Sequence, residues 1–467
     1  MSAPDLNAET MAQFRDAGVE QHSTILLGAG ASITSGLPSW DEFATSLLID
    51  SGAVDKRSAE LLLARQDPII AVEAARAADE ATWKQRLRDA LYKSVGTLAS
   101  LSPSPLHLAA VGHYLERKDR RSLVTLNFDV LLETVLEDET KTVPIAVTNT
   151  DKRKGEHSVH HLHGIITPDE THDVVLTLND FTTLLEKQDA WQVNYLRTAV
   201  TKGSLVIAGT SYRDPDLRQW LHAALKSKPK DHKAFVLLAR EGFGVSKKDF
   251  GELEQALSSQ WRAVGLHPVL MQDHTDAAQI IRELNHVNKK DYISPQERCR
   301  LIWESHVRNF EVLQQEYVGE LSKNVEELKK CFKVETLDAT IWISNGDGGL
   351  VRWASHDRIY RTLQALRVVE TGHDSPWIAG QALAKDTEII RDLSHHPTRR
   401  WKSVVAFPIP VAHPTLPLVS SAVLTIGLPK EKELYEGDSV NWAEVVGDIA
   451  DEWTFRLYEG VYSVEDA

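Results

Sequence analysis

The chain has 467 residues, of which 42% are hydrophobic and 25% are charged, and its formal net charge at pH 7 is -15. This length suits about two or three domains, and the negative charge disfavours nonspecific nucleic-acid binding by the chain as a whole. Its two cysteines, Cys299 and Cys331, exclude a disulfide framework and a multi-cysteine zinc site within one chain. The lack of a long apolar run or a basic leader predicts a cytoplasmic protein without a membrane span or signal peptide.

Residues 24–27 are apolar and β-prone, which predicts a buried strand. Gly28, Ala29, Gly30, Ala31 and Ser32 follow it directly. Two glycines let the backbone turn sharply and approach a ligand closely, and amides that point out of such a turn suit a diphosphate. The same pattern also occurs in plain strand-to-helix connections, and the acidic residue expected about 20 positions later in a dinucleotide fingerprint is not clear here. This stretch alone leaves both interpretations open.

Helical patterns fill the region that follows. The predicted helices are 40–50, 58–65, 68–78, 82–95 and 105–117. No strand candidate interrupts them, so we expect a helical insertion between two strands of a sheet.

Strands and helices then alternate as far as residue 271. The predicted strands are 122–126, 143–148, 158–166, 174–178, 205–208, 234–239 and 266–271. This alternation predicts an α/β fold with a mostly parallel, doubly wound sheet. Polar groups at the carboxyl ends of such strands converge on one crevice. The candidates at or just beyond strand ends are the 28–32 turn, Asn127, Asp129, His163, Gly209, Thr210 and Ser211.

Each of these candidates also has a structural interpretation. Asn127 can be a turn residue or a helix cap, and Asp129 can be a first-turn carboxylate that favours the helix dipole. His157, His160, His161 and His163 crowd one stretch and raise the question of a metal. Strand alternation sends His160 to the face opposite His161 and His163, and no acidic or cysteine partners stand at ligand spacing. We therefore expect no metal site.

Five short motifs occur in the order of the sirtuin motifs: GAGAS (28–32), SGLPSW (35–40), TLNFD (125–129), HLHG (161–164) and AGTS (208–211). Over about residues 24–271 the chain therefore resembles sirtuins, which have a Rossmann-like fold, bind NAD and cleave its nicotinamide–ribose bond. The resemblance implies NAD as the substrate. It also implies a set of site residues: Gly28, Ala29, Gly30 and Ser32 at the diphosphate, Asn127 and Asp129 at the nicotinamide ribose, His163 as the base, and Gly209, Thr210 and Ser211 at the adenosine half.

Two departures from the family pattern change the expected activity. No cysteine lies between His163 and Gly209, so the four-cysteine zinc module that follows this point in the deacetylases, and that borders their acyl-lysine cleft, is missing. In the family the Gly-Ile-Pro segment is followed, after one residue, by Phe-Arg, whereas here Gly36-Leu37-Pro38 is followed by Ser-Trp-Asp. Trp40 would replace the aromatic residue, and the arginine is absent. Trp40 is equally a candidate for the core. This divergent pattern resembles the sirtuin-like domains of bacterial antiphage systems, which hydrolyse NAD and deplete the infected cell.

The chemistry can be stated from the residue types. Loss of nicotinamide leaves a ribosyl cation, which an asparagine-positioned water can attack while a histidine accepts a proton, a contribution of about 10²–10⁴ in rate. Asp129 can orient a neighbour or stabilise the cation. Positively charged nicotinamide is already a good leaving group, so no metal is needed.

The pattern changes beyond residue 271. Residues 294–332 contain an amphipathic helix with Phe310, Tyr317, Leu321 and Val325 on one face. Two hypotheses are open: a stripe packed on a flanking domain, or a signalling or dimerising helix. Asn-Gly-Asp-Gly at 345–348 predicts a hairpin.

The segments GQALA (380–384), RWKSVVAFPIPV (400–411) and SAVLTIGL (421–428) resemble a GAF-type sensor domain of the α+β class. The resulting hypothesis has three parts: a sirtuin-like catalytic domain at 1–285, a helical linker at 286–335 and a GAF-like sensor or assembly domain at 336–467. The function expected is an NAD glycohydrolase of antiphage defence. The alternatives are a non-catalytic NAD or ADP-ribose sensor and an NAD-dependent deacylase. Expected partners are further copies of the chain and a second defence protein or a phage-derived trigger.

Overall fold

The structure is a computed structural model that describes residues 3–15, 22–93, 95, 101–148, 155–185, 190–210, 215–226, 233–393, 395, 400–436 and 439–462. Its strands are β1 His22–Leu27, β2 Arg121–Thr125, β3 Ile145–Val147, β4 Ser158–His161, β5 Ile165–Ile166, β6 Thr171–His172, β7 Gly203–Ala208, β8 Lys233–Ala239, β9 His267–Met271, β10 Asp338–Ser344, β11 Gly349–Ser355, β12 Val368–Glu370, β13 Ile389–Asp392, β14 Ser403–Val411 and β15 Val419–Leu428.

The helices are α1 Ala8–Ala12, α2 Gly30–Ile33, α3 Trp40–Asp50, α4 Lys56–Leu63, α5 Pro68–Ala78, α6 Trp83–Tyr92, α7 Pro105–Glu116, α8 Leu131–Thr140, α9 Leu178–Leu185, α10 Trp191–Lys202, α11 Pro215–Leu225, α12 Lys247–Val264, α13 His274–Glu283, α14 Pro295–Arg308, α15 Phe310–Phe332, α16 Ile378–Lys385, α17 Glu433–Glu436 and α18 Ser439–Tyr462. Among the described residues, none of these helices combines the length and apolar character that a membrane span requires.

The chain divides into two units. Arg15–Leu270 forms the parallel-sheet unit, and Met1–Phe14 together with Met271–Ala467 forms the antiparallel-sheet unit. These units differ from the predicted domain ranges, since residues 1–14 and 271–285 group with the C-terminal part of the chain. Hydrogen bonds connect the first residues to the C-terminal part of the chain. The Gly348 amide donates to Asp5 Oδ1 (2.8 Å), and the Gln296 amide donates to the Leu6 carbonyl (3.1 Å).

The predicted parallel sheet is confirmed. Its strand order is β3-β4-β2-β1-β7-β8-β9, and β1 pairs in parallel with both β2 and β7. Nearly every residue of β1 and β7 is buried, as expected for strands covered on both faces. Helices α3 to α7 form the predicted insertion between β1 and β2. The chain leaves β1 for β2 on one side and later returns to β7 on the other, so a switch point lies at the carboxyl end of β1.

Two strand predictions in this unit are wrong. Residues 174–178 form no strand, because the side chain of Asp180 accepts hydrogen bonds from the amides of Leu176 (3.2 Å) and Thr177 (3.1 Å) and starts α9 instead. The predicted strand 158–166 is split into β4 and β5. Gly164 has φ +88° there, and a Cβ at this position would lie 2.3 Å from the Asp173 carbonyl oxygen. The turn is therefore one that only glycine fits.

The antiparallel-sheet unit contains a second sheet, with the order β12-β11-β10-β15-β14-β13 and antiparallel pairing throughout. This confirms the expected α+β class of the C-terminal region. The predicted hairpin joins β10 to β11, and Asn345 Oδ1 accepts hydrogen bonds from the amides of Asp347 (2.9 Å) and Gly349 (3.0 Å) inside the turn.

The predicted long helix is two helices, α14 and α15, that meet at Asn309. The stripe of α15 is buried within the unit's own core, where Tyr317 and Leu321 pack in one cluster with Trp353 and Trp453. The packed-stripe hypothesis is therefore confirmed. These residues do not offer an exposed face for dimerisation.

Leu321→Ala should lower the free energy of unfolding by about 2–5 kcal/mol, because it leaves a cavity at a fully buried position. Val312→Ala on the same helix is the control, since Val312 is 69% exposed and should change stability by less than about 0.5 kcal/mol. Urea denaturation of the full chain measures both. Equally small changes in the two variants would contradict a buried stripe.

Candidate functional site

The carboxyl ends of β1, β2 and β7 bring three predicted segments together. They are the 28–32 turn after β1, the 126–129 segment after β2, and Gly209 and Thr210 after β7. His163 joins them from the turn after β4, which pairs with β2. Ser211 lies outside the described residues.

The glycines at these strand ends hold the backbones of β1 and β7 close together. A Cβ on Gly28 would lie 2.6 Å from the Thr210 Cα and 2.7 Å from the Gly209 carbonyl oxygen, which no side chain permits. Gly209 itself has φ +64°. Both glycines are thus required by contact between two strands, whether or not a ligand is bound.

Three amides of the turn are already used inside the protein. The Gly28 amide donates to the Ala208 carbonyl (3.0 Å), that of Gly30 donates to the Gly209 carbonyl (2.7 Å), and that of Ala31 donates to the Gly28 carbonyl (3.0 Å). These groups are therefore not offered to a diphosphate in this structure. Diphosphate contacts by Gly28 and Gly30 remain predictions.

A chain of hydrogen bonds links the turn to the 126–129 segment. The Asn127 side-chain amide donates to Ser32 Oγ (2.7 Å) and to the Gly28 carbonyl (3.1 Å). Ser32 Oγ in turn donates to Asp129 Oδ2 (2.8 Å), and Asp129 Oδ1 accepts from the Leu131 amide (3.1 Å). Both Nδ2 hydrogens of Asn127 are occupied, so the group it has left for a ligand is its Oδ1 acceptor.

Ser32 has a role within the protein as well, and its predicted contact with the diphosphate stays a prediction. Ser32 is buried, its hydroxyl donates a hydrogen bond to Asp129, and its oxygen accepts one from Asn127. Burial raises the pKa of the Asp129 carboxyl, while the Ser32 and Leu131 hydrogen bonds oppose that rise. Ser32 thus holds the two predicted catalytic side chains in one arrangement.

A cavity of about 110 Å³ lies in front of these groups. Six predicted site residues line it: Ala29, Ser32, Trp40, Asn127, Asp129 and His163. Gly28, Gly30, Gly209 and Thr210, which lie at the ends of β1 and β7, are not among the lining residues. Most of the remaining lining is apolar, including Leu37, Phe43, Ile69 and Leu126. This combination of apolar walls and a few convergent polar groups is typical of small-molecule sites.

Aromatic side chains fix the His163 ring. Its centroid lies 5.1 Å from that of Trp220, 5.9 Å from that of Phe181 and 6.2 Å from that of Phe128. Trp40 both lines the cavity and packs on neighbouring hydrophobic residues, so its core and ligand interpretations are compatible. Phe128 and Phe181 were not among the predicted site residues, because aromatic residues alone do not distinguish a cavity wall from a core.

Sequence reasoning also missed His161 and Glu133. His161 is fully buried, with Nδ1 3.1 Å from the Asn127 carbonyl oxygen and Nε2 2.7 Å from Glu133 Oε1. Burial alone would lower the pKa of the imidazole, but the Glu133 carboxylate outweighs this and the pKa is raised. Glu133 lies in the first turn of α8, and no local pattern in the sequence pairs it with His161.

The four clustered histidines have separate neighbours. Tyr114 Oη lies 3.4 Å from His157 Nδ1, and Tyr195 Oη lies 3.4 Å from His160 Nδ1. His161 contacts Glu133, and His163 contacts aromatic rings. Among the described residues, none of these histidines belongs to a group of three side chains close enough to share a metal ion. The prediction of no metal in this site stays a prediction.

Ser32→Ala should lower the free energy of unfolding by about 1–3 kcal/mol at neutral pH, because it leaves Asn127 and Asp129 short of a buried partner. Without the Ser32 hydrogen bond the pKa of Asp129 rises further. The loss of stability that comes from Asp129 is therefore largest at a pH above that pKa, and it becomes smaller as the pH falls and Asp129 is protonated. Denaturation at pH 8 and pH 5 measures this difference. Thr34→Ala is the control, since its exposed hydroxyl bonds only the Ala31 carbonyl (3.0 Å). A Ser32→Ala loss that is equal at both pH values would contradict the link to Asp129.

Comparison with known protein families finds one family model, which matches part of the chain. Residues 121–269 match the family model of the SIR2-like domain. The match includes the strands that carry Asn127, Asp129, His163 and Gly209, and SIR2-like domains use NAD as a substrate. No curated protein matches the chain.

Among solved structures, one similar chain is described as "Crystal structure of A. Aeolicus nlh2 gaf domain in an inactive state". It is 16% identical and covers 30% of this chain and 93% of its own, with a TM-score of 0.20, which is too low to carry an argument. The comparisons therefore support a sirtuin-like domain within residues 121–269, in agreement with the motifs found there.

Proposed function

We propose that the parallel-sheet unit is an NAD glycohydrolase, which converts NAD and water to ADP-ribose and nicotinamide. The observation that carries this proposal is the arrangement of Asn127. Its two amide hydrogens are held by Ser32 and Gly28, and its Oδ1 is left as an acceptor in a cavity shared with Asp129 and His163. An acceptor with a fixed orientation suits a water molecule, which must donate a hydrogen while its oxygen attacks.

The residues divide the reaction among them. The bond from ribose C1′ to the nicotinamide nitrogen breaks, and its electron pair leaves with nicotinamide. The Asp129 carboxylate stabilises the ribosyl cation, Asn127 Oδ1 holds the water that attacks C1′, and His163 accepts the proton that this water loses. Apolar walls around these groups exclude other water and strengthen the electrostatic interactions.

The alternatives differ in what happens to NAD. A sensor would bind NAD without consuming it, and a deacylase would consume it only with an acyl-peptide. The parallel-sheet unit contains no cysteine, so it cannot build the four-cysteine module that borders the acyl-lysine cleft of deacetylases. This favours water over an acyl-lysine as the second reactant.

The biological role follows from the resemblance to antiphage effectors. Hydrolysis of NAD in an infected cell would deplete a pool on which phage replication depends. Unrestrained hydrolysis would harm the host, so the activity needs a control. We assign that control to the antiparallel-sheet unit as a GAF-like sensor or assembly domain. A second defence protein, a phage-derived trigger and assembly of several copies are the partners of this scheme.

Asn127→Ala should lower kcat for NAD hydrolysis by at least about 100-fold, because the attacking water loses its fixed acceptor. Asn127→Asp should not restore activity, since a carboxylate keeps an acceptor oxygen but would face the Gly28 carbonyl without a hydrogen to donate. Asn288→Ala, an exposed asparagine outside the parallel-sheet unit, is the control and should keep the parental rate. Chromatography of nicotinamide, with full-length protein alone and with a lysate of phage-infected cells, measures all four proteins.

Parental turnover in Asn127→Ala would refute the assignment of this residue. Binding of NAD without nicotinamide release under either condition would favour the sensor. Release that depends on an added acyl-peptide would favour the deacylase.

Chelation should leave both the melting temperature and NAD turnover unchanged, because none of the groups in the proposed reaction needs a metal. The measurement is a thermal melt and an NAD assay before and after dialysis against EDTA. Elemental analysis provides the independent check. One zinc per chain, with loss of stability on its removal, would contradict the expectation.

A further inference from the structure

Both ring nitrogens of His161 face oxygen acceptors. Nδ1 is 3.1 Å from the Asn127 carbonyl oxygen and Nε2 is 2.7 Å from Glu133 Oε1, and the side chain has no exposed surface. A backbone carbonyl can only accept, so Nδ1 must carry a hydrogen. The 2.7 Å contact between Nε2 and the Glu133 carboxylate needs a second hydrogen, between those two atoms. The pair therefore holds one proton more than a neutral imidazole beside an ionised carboxylate.

This extra proton sets the charge behind the cavity. With the ring doubly protonated, the charges of His161 and Glu133 cancel each other, and Asp129 provides a carboxylate at the cavity, which Asp67 also lines. Without it, an ionised Glu133 would meet the lone pair of Nε2 inside the protein. The described titratable groups on the elements around the ring are Glu133 on α8, Asp129 after β2, His160 on β4 and Tyr92 on α6. Asp173 and Asp180 line a separate cavity, to which His161 also contributes.

We propose that His161 and Glu133 form a positioning pair for NAD cleavage. The Nδ1–H of His161 holds the Asn127 carbonyl, and the proton shared between Nε2 and Glu133 neutralises that pair, so that Asp129 provides the charge that faces the ribosyl cation. This inference rests on the proposed function. His161 does not line the cavity that holds His163, so it acts through Asn127 and Asp129 rather than on the substrate.

The pair gives the reaction a pH dependence with a definite sign. Glu133 raises the pKa of His161, so the folded protein binds the proton more tightly than the unfolded chain. The stabilisation is present in full below the unfolded pKa of about 6.5 and is lost as the pH rises through the folded value. We therefore expect kcat to fall at alkaline pH as the proton leaves.

Glu133→Gln separates position from charge. A glutamine can donate its amide hydrogen to Nε2 of a neutral ring, whose Nδ1–H still reaches the Asn127 carbonyl. Neutral-pH kcat should stay within about threefold of the parent, and the alkaline fall should disappear. In His161→Leu the donor to Asn127 is gone, and kcat should drop by at least about 100-fold with KM for NAD changed by less than about threefold.

His160→Gln is the matched control on the same strand. Burial lowers the pKa of His160 to about 4, so it does not titrate in the alkaline range. This variant should keep both the rate and the alkaline fall. All four proteins are compared as full chains, by kcat and KM for NAD between pH 6 and 10. An unshifted alkaline fall in Glu133→Gln, or parental kcat in His161→Leu, would overturn the proposal.

Imidazole ¹⁵N spectra test the same proton without any turnover. The His161 signals are identified by their loss in His161→Gln. At pH 6, below the ordinary imidazole pKa of about 6.5, the parent should show hydrogens on both ring nitrogens, and Glu133→Gln should show one. A neutral ring in the parent overturns the positioning pair even if NAD is hydrolysed. A doubly protonated ring in a chain that never consumes NAD supports the pair, while the proposed function fails.

Discussion

The close contact between the ends of β1 and β7 is the constraint on which the site depends. Gly28 and Gly209 let the two backbones meet, and the contact uses the amides of Gly28 and Gly30 on carbonyls of β7 and the residue after it. The Gly28 carbonyl is then turned toward Asn127, whose amide it fixes. A change at either glycine would therefore displace Asn127 and, through Ser32, Asp129.

Asn127 is held by groups on both its side chain and its backbone. Asn127 is held through its side chain by Ser32 and Gly28 and through its backbone carbonyl by His161. Of these three orienting groups, Gly28 and His161 do not line the cavity. Such preorganisation is what a reaction with a short-lived cation requires, because the protein has no time to rearrange around it.

Much of the fold followed from patterns of local origin. Apolar runs located β1, β2 and β7, and the order of strands and helices gave a parallel sheet whose strand ends gather Asn127, Asp129 and His163. The use of the turn amides could not be predicted, since it depends on pairing between residues 28 and 208. The His161–Glu133 contact likewise joins residues 28 positions apart. The grouping of residues 1–14 with the antiparallel sheet rests on still longer-range contacts such as Asp5 with Gly348.

In the reaction that we propose, water is the second reactant in NAD cleavage at this site. The most direct measurement is a product balance: full-length protein, NAD and the activating lysate, with no acyl-peptide, analysed for NAD, nicotinamide and ADP-ribose over time. We expect nicotinamide and free ADP-ribose in equal amounts, each matching the amount of NAD consumed. Intact NAD, or nicotinamide released without an equal amount of free ADP-ribose, would contradict it.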